Sequence, residues 1–83
     1  MYSVEFSDVA KRQFSKLDHI LKKRIVANLK RVRIRPYSHI KKLVGCPYFR
    51  LRVGNYRLIL DIKDDKLIIL VLELGHRKNI YKR

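Results

Sequence analysis

Three arginines in the segment FRLRVGNYRLIL, residues 49–60, are spaced so that their guanidinium groups could act together on a phosphate. Apolar residues alternate with Arg50, Arg52 and Arg57 on both sides of the Gly-Asn pair at 54–55, a pattern typical of a β-hairpin with a two-residue loop. Counting outward from that loop places Arg52 opposite Arg57 and puts Arg50 on the same face. Because guanidinium groups bind phosphate oxygens through parallel hydrogen bonds, this open face is predicted to bind nucleic acid.

The Arg52–Arg57 pair carries an electrostatic cost, since like charges directly opposite each other destabilise a sheet by up to ~1 kcal/mol. An anionic ligand would offset that cost. The alternative is a solvated sheet face whose long basic side chains cover apolar surface with their methylene stems. That alternative accounts well for a single arginine. It accounts less well for all three, because a solvated face is expected to carry carboxylates among its basic side chains. Asp61 is the acid predicted on this face of the hairpin.

The segment GHRKNIY at 75–81 adds further groups of the same kind. His76, Arg77 and Tyr81 are predicted to fold back over the arginines at the end of the third strand. Basic groups with an interleaved aromatic ring are typical of single-stranded RNA recognition, with charge for the backbone and a ring for stacking. Taken alone, Tyr81 would be a surface anchor and His76 a solvated turn residue.

The net charge points to the same class of partner. The chain has 21 lysines and arginines against 7 aspartates and glutamates, a formal charge of +14 over 83 residues. This exceeds the magnitude of about 2–8 that suits a small soluble domain, so a polyanion or an acidic protein is expected to neutralise it. A hydrophobic content of 47% argues against disorder.

The elements that must position these residues follow from the periodicity. Residues 2–6 alternate as a strand, Ser7 and Asp18 are N-cap candidates for two helices, and Pro36 ends the second helix. Residues 37–47 are predicted to be a connection. After the hairpin come a polar turn at 63–66 and a strand at 67–74 that is apolar on both faces and so central. The helices show apolar stripes at helical spacing: Ala10, Phe14 and Leu17, then Leu21, Ile25, Leu29 and Val32.

This order predicts one α+β domain over residues 1–83: an N-terminal strand, a two-helix hairpin, then a three-stranded antiparallel meander. The strands would form one mostly antiparallel sheet with the helices on one face. Cys46 is a lone cysteine and the three histidines are far apart, so neither a metal site nor a cofactor is expected. The longest apolar run, at 67–72, is too short to span a bilayer, and no signal peptide is evident, so we expect a cytoplasmic protein without membrane contact.

The segments YFRLRVGNYR at 48–57 and LGHRKNIY at 74–81, with the order of elements, resemble the RelE/ParE superfamily of bacterial and archaeal toxins, and its RelE-type branch most closely. The helical half matches in pattern alone. The resemblance implies a RelE-like fold and a type II toxin–antitoxin system. It also implies a ribosome-dependent endoribonuclease, or mRNA interferase, that cuts mRNA in the A site without metal, using the RNA's own 2′-hydroxyl.

Carried over position by position, the resemblance implies that the catalytic residues are Arg57, Arg77, Tyr81, Arg52 and Arg50. Arg50 and Arg52 stand where the best-known relatives have lysines, and an arginine is almost never deprotonated. The general base is therefore left unassigned. Basic residues outside this set are expected to contact RNA or the ribosome: Lys22, Lys23, Lys30, Arg31, Lys41, Lys42 and Lys78.

A toxin of this type also implies a partner, a cognate acidic RelB-like antitoxin that covers basic surface. Two other functions remain open from the sequence. A ParE-type toxin of similar fold would inhibit DNA gyrase, although that branch generally lacks the clustered basic residues. A non-catalytic basic module would bind RNA or the ribosome without cutting it.

Overall fold

The structure is a computed structural model that describes residues 1–76. Its strands form one five-stranded sheet in the order β1-β5-β4-β3-β2, with β1 parallel to β5 and the other neighbours antiparallel. This confirms the predicted α+β fold class. Neither helix in the described part of the chain combines the length and apolar character needed to cross a bilayer. The elements are β1 (Ser3–Phe6), α1 (Asp8–Ser15), α2 (His19–Ile34), a 3-10 turn (Pro36–Ser38), β2 (Lys41–Lys42), β3 (Phe49–Val53), β4 (Tyr56–Lys63) and β5 (Ile68–His76).

Both helices begin where the sequence predicts. The Ser7 hydroxyl accepts a hydrogen bond from the Ala10 N–H at 3.0 Å, and the Asp18 carboxylate accepts one from the Leu21 N–H at 2.8 Å. Each side chain therefore satisfies a backbone donor that the first turn of a helix leaves without an intrahelical partner. The second helix ends at residue 34, two residues before Pro36.

The core lies between the helices and one face of the sheet. Leu51 and Val53 of β3 and Leu58 and Leu60 of β4 are buried on this side, as the alternation predicts. Burial of these side chains stabilises the fold by about 1.5–3 kcal/mol each. They pack with buried residues of the helices and of β5: Ala10, Ile25, Leu29, Val32, Ile69, Val71 and Leu74.

Strand β2 differs from the prediction of a simple connection over 37–47. Lys41 pairs with Arg50 and Lys42 pairs with Phe49, so β2 covers just the beginning of β3. Two exposed lysines give no alternation signal, which explains why the sequence pattern missed this strand. From Leu51 onward, none of the described strands pairs with the outer side of β3.

Strand β5 runs through His76, whereas the sequence predicts a strand that ends before Gly75. Its register against β4 shifts once: Ile59 pairs with Glu73, but Leu60 pairs with Val71, which leaves Leu72 as the extra residue of a β-bulge. The bulge keeps Leu74 and Val71 both on the buried side. It also places Glu73 on the face opposite the helices.

A cluster of two tyrosines and one carboxylate ties the chain start to the β4–β5 turn. Asp64 accepts hydrogen bonds from the hydroxyls of Tyr2, at 2.6 Å, and Tyr37, at 2.7 Å. These bonds lower the pKa of Asp64. Partial desolvation and the bond to Asp64 raise the pKa of Tyr37 to about 12.

The Asp64 cluster predicts a loss of stability in acid. Because the pKa of Asp64 is lowered in the folded state, its contribution is present above the unfolded value of 3.8 and disappears as pH falls through the folded value. Thermal unfolding of wild type and Asp64→Asn should therefore differ at pH 5 and converge toward pH 2. A difference that stays constant over this range would contradict the assignment. Tyr37→Phe removes one of the two hydroxyl donors to Asp64. In a protein that carries this change, Asp64→Asn should therefore cost less stability at pH 5 than it does in the wild type.

Candidate nucleic-acid interface

The hairpin brings Arg52 and Arg57 to directly opposed positions, as the two-residue loop predicts. Arg52 pairs with Arg57 and Val53 pairs with Tyr56, which sets the paired Cα atoms about 4.5–5.5 Å apart. Gly54 has a φ of +59°, and Asn55 has none in the positive range. A glycine with positive φ at the first loop position is typical of a type II′ turn, whose twist suits a hairpin.

We call the surface opposite the helices the arginine face. One row across it runs from Arg52 through Arg57 to Gly75. Because Gly75 has no side chain, the position in β5 beside Arg57 leaves space above the sheet. The adjacent row consists of Lys41, Arg50, Ile59 and Glu73.

The three arginines of this face differ in exposure. Arg52 is exposed and Arg50 is partly buried, but the Arg57 side chain is just 3% exposed. The prediction of an open face is therefore wrong at Arg57, because alternation gives the side of the sheet and not what lies over it. No buried side-chain nitrogen or oxygen among residues 1–76 lacks a hydrogen-bond partner, so burial leaves no orphaned donor on Arg57. A ligand approaching from solvent meets Arg52 first.

Three carboxylates lie on the arginine face, and one of them is Glu5, which shares a row with Leu70 and Asp61. Asp61 was predicted there, and it forms an ion pair with Lys63 at 3.2 Å. Glu73 was not predicted, because strand β5 is apolar on both faces and its register cannot be read from alternation. Glu73 lies in the row next to Arg57, within reach of the diagonal contacts that long side chains make across a sheet. The face therefore carries more basic than acidic side chains, but it is not free of acids.

His76 does not join the arginine face. It pairs with Tyr56, two residues beyond the buried Leu74–Leu58 pair, and so belongs to the side that the helices cover. Its ring meets the Tyr56 ring edge-on, with centroids 5.7 Å apart and planes at 76°. The prediction that His76 folds back over the arginines is wrong for that residue. Arg77, Lys78 and Tyr81 lie outside the described residues, and their roles stay predictions.

The other described basic residues that were predicted to contact RNA fall on four different surfaces. Lys41 belongs to the arginine face, whereas Lys42 lies on the other side of β2, with its ammonium 5.6 Å from the centre of the Phe49 ring. Arg31 lines a groove between α2 and the hairpin. A shallow depression along α2 is lined by Lys22, Lys23 and Lys30.

The described residues do not group three or more metal-ligating side chains in one place. The arginine face presents guanidinium and ammonium groups, which can hold anionic oxygens. Such groups stabilise negative charge where it develops during reaction at a phosphate, provided they are positioned beforehand. A guanidinium group is almost never deprotonated in proteins, so an arginine is poorly suited to act as a general base.

The chain is similar to known proteins over most of its length. The sequence model of a protein family, the ParE toxin of the type II toxin–antitoxin system parDE, matches residues 4–81. A RelE-like toxin protein of Escherichia coli is 31% identical over 80 residues, covering 93% of this chain and 84% of the relative. The mRNA interferase toxin RelE of E. coli K12 is 28% identical over 80 residues, with the same coverage.

A solved structure shares the fold as well. The intact RelBE toxin–antitoxin complex of E. coli matches with a TM-score of 0.80 and 26% identity, covering 92% of this chain and 96% of the matched chain. The match to the family model spans nearly the whole chain, and the curated relatives span it too. The chain therefore belongs to the RelE/ParE superfamily and is a RelE-like toxin of a toxin–antitoxin system.

Proposed function

We propose that this RelE-like toxin is a ribosome-dependent endoribonuclease that cuts mRNA in the ribosomal A site and so inhibits translation. The observation that carries the proposal is the Arg52–Arg57 pair on the face opposite the helices. Homology to a protein named mRNA interferase supports it. The 2′-hydroxyl of the RNA gives up its proton to a base and attacks the adjacent phosphorus. The bond to the 5′-oxygen breaks, that oxygen takes up a proton to become a hydroxyl, and a 2′,3′-cyclic phosphate remains on the upstream fragment.

The protein's part in this reaction is electrostatic. Negative charge grows on the phosphate oxygens in the transition state, and guanidinium groups aimed there lower its energy. We assign that role to Arg57 and Arg77, with Arg50 and Arg52 holding the phosphate on its approach. Because Arg57 is buried, its field is less screened than that of a solvated arginine. For direct contact with a phosphate, the Arg57 guanidinium must become accessible.

Metal ions are not needed in this scheme, because the nucleophile is the 2′-hydroxyl of the substrate and arginines stabilise the negative charge that develops on the phosphate. Tyr81 would orient the nucleotide by stacking on a base. A tyrosine of ordinary pKa near 10 is a poor base at pH 7. Proton transfer is worth about 10²–10⁴-fold, so a toxin with a weak base would depend on the ribosome to hold mRNA in a reactive geometry.

The proposed partners follow from this activity. A ribosome substrate implies a cytoplasmic protein that contacts ribosomal RNA and mRNA. The solved relatives include toxin–antitoxin complexes of E. coli and Mycobacterium tuberculosis, which supports an acidic RelB-like antitoxin for this chain. An antitoxin that binds the folded form alone would also stabilise it by mass action.

The test adds the purified toxin to translating ribosomes and maps the mRNA 3′ ends. Cuts at a fixed position within codons are expected, and they should disappear when antitoxin is added. The same preparation is assayed for inhibition of DNA gyrase, because the matching family model is named for ParE. Intact mRNA with inhibited supercoiling would overturn the proposal in favour of gyrase inhibition. Intact mRNA with ribosome binding alone would overturn it in favour of a non-catalytic binding module.

A further inference from the structure

A groove lies where α2 crosses the outer edge of β3, beyond the part of that strand that β2 covers. Arg24, Asn28 and Arg31 line it from α2, and residues 52–54 line it from the hairpin. Its volume of about 450 Å³ falls within the range of roughly 300–1,000 Å³ typical of small-ligand sites. The groove is thus large enough to hold a phosphodiester link.

The helix and the turn together position the arginines of this groove. Arg24, Asn28 and Arg31 are spaced at i, i+4 and i+7 and so share one face of α2. The Arg24 guanidinium packs on Gly54, where an added Cβ would lie 3.2 Å from its Nη1 atom. The type II′ turn favours glycine at this position for its positive φ, and the missing side chain leaves space for Arg24.

The lining residues of the groove do not balance its positive charge. Three of its lining residues are arginines and none is acidic. Within residues 1–76, no carboxylate forms an ion pair with Arg24, Arg31 or Arg52. Cations gathered in a concave surface focus positive potential and raise the local concentration of anions. Guanidinium forks match the geometry of phosphate oxygens in particular.

We propose that this groove binds the sugar–phosphate backbone of single-stranded RNA that extends from the arginine face. The inference rests on the proposed function, because an RNA held for cleavage on that face must continue in both directions. Arg52 joins the two surfaces: it belongs to the arginine face by register and to the groove by position. An acidic protein segment fits less well, because the groove offers little apolar surface for the buried anchors that dominate protein interfaces.

The test is the salt dependence of binding to a short 2′-O-methyl oligouridine, which lacks the hydroxyl needed for cleavage. Wild type is compared with Arg24→Gln/Arg31→Gln over about 50–300 mM KCl. Each phosphate contact on single-stranded RNA contributes about −0.7 to the slope of log K against log salt. Losing two contacts should make the slope less steep by about 1.4, and Arg31→Gln alone should change it by about 0.7.

The matched control is Lys11→Gln/Lys16→Gln, which removes the same charge from exposed positions of α1 and its C-cap. Its slope should stay near that of wild type. Equal changes in both double variants would show diffuse attraction by net charge and overturn the proposal. An unchanged slope in the groove variants would also overturn it. Arg31→Gln leaves the Arg24–Gly54 contact intact, so it gives an answer even if the double variant unfolds.

Two further probes separate this inference from the proposed function. The oligouridine cannot be cut, so a change in slope supports the groove even if the toxin proves unable to cleave mRNA. Conversely, Arg24→Gln/Arg31→Gln could cleave mRNA normally and show an unchanged salt slope. That result would overturn RNA binding in the groove while supporting the proposed endoribonuclease function. A poly-glutamate peptide is the competing ligand. If that peptide binds in an Arg31-dependent manner and the oligouridine does not, the RNA assignment is wrong.

Discussion

Replacing Arg57 by glutamine is expected to slow mRNA cleavage by about 10²–10³-fold, which corresponds to about 3–4 kcal/mol of transition-state stabilisation. Arg57 stands opposite Arg52 in the centre of the arginine face, and its buried guanidinium is held in place before substrate arrives. Glutamine keeps hydrogen-bonding ability but removes the charge. The measurement is the initial rate of codon-specific cutting on translating ribosomes at equal toxin concentration.

Burial of Arg57 requires controls for folding, since removing one partner from a buried charged network can destabilise a protein by several kcal/mol. Thermal unfolding and antitoxin binding of Arg57→Gln should show that the variant is folded. Arg57→Lys keeps the charge without the planar fork and should recover part of the rate. Arg12→Gln removes a charge from the exposed face of α1 and should cleave normally. A folded Arg57→Gln variant with near wild-type cleavage would contradict the assigned role.

Leu58→Ala is expected to reduce the free energy of unfolding by about 2–5 kcal/mol. Leu58 is fully buried in β4, between the buried Leu51 of β3 and Leu74 of β5. A small domain has about 5–15 kcal/mol of total stability, so this one change removes a large part of it. Urea unfolding followed by circular dichroism gives the difference directly.

The matched change is Ile59→Ala in the next residue, which is partly buried on the arginine face. Its cost should be near 1 kcal/mol, the centre of the distribution for point mutations. The comparison tests the face assignment that also positions the arginines. Equal losses at 58 and 59 would mean that the alternation of β4 does not separate a core side from a ligand side.

The hairpin shows how far local sequence specifies this site. A Gly-Asn loop and strict alternation fix the register, so the Arg52–Arg57 pairing could be predicted by counting. The helix caps at Ser7 and Asp18 are equally local, since each satisfies a donor three residues away. These features depend on contacts within a few residues, which a single sequence displays.

The parts that the sequence did not predict depend on contacts between distant elements. The apolar run of β5 has no alternation, so neither its bulge nor the side taken by Glu73 and His76 can be read from it. Arg24 is one of many basic residues on α2, and its position against Gly54 arises when the helix packs on the hairpin. The burial of Arg57 is likewise a property of the assembled face.

In the proposed function, the phosphate to be cleaved binds on the arginine face. The most direct measurement is a cryo-electron microscopy structure of the toxin on a ribosome whose A-site codon carries 2′-O-methyl groups and cannot be cut. We expect an oxygen of the scissile phosphate about 2.7–3.1 Å from a guanidinium nitrogen of Arg57, with Arg52 on the same phosphate or its neighbour. A phosphate seated against α1 and the open edge of β1, with the arginine face turned away from the mRNA, would contradict the account.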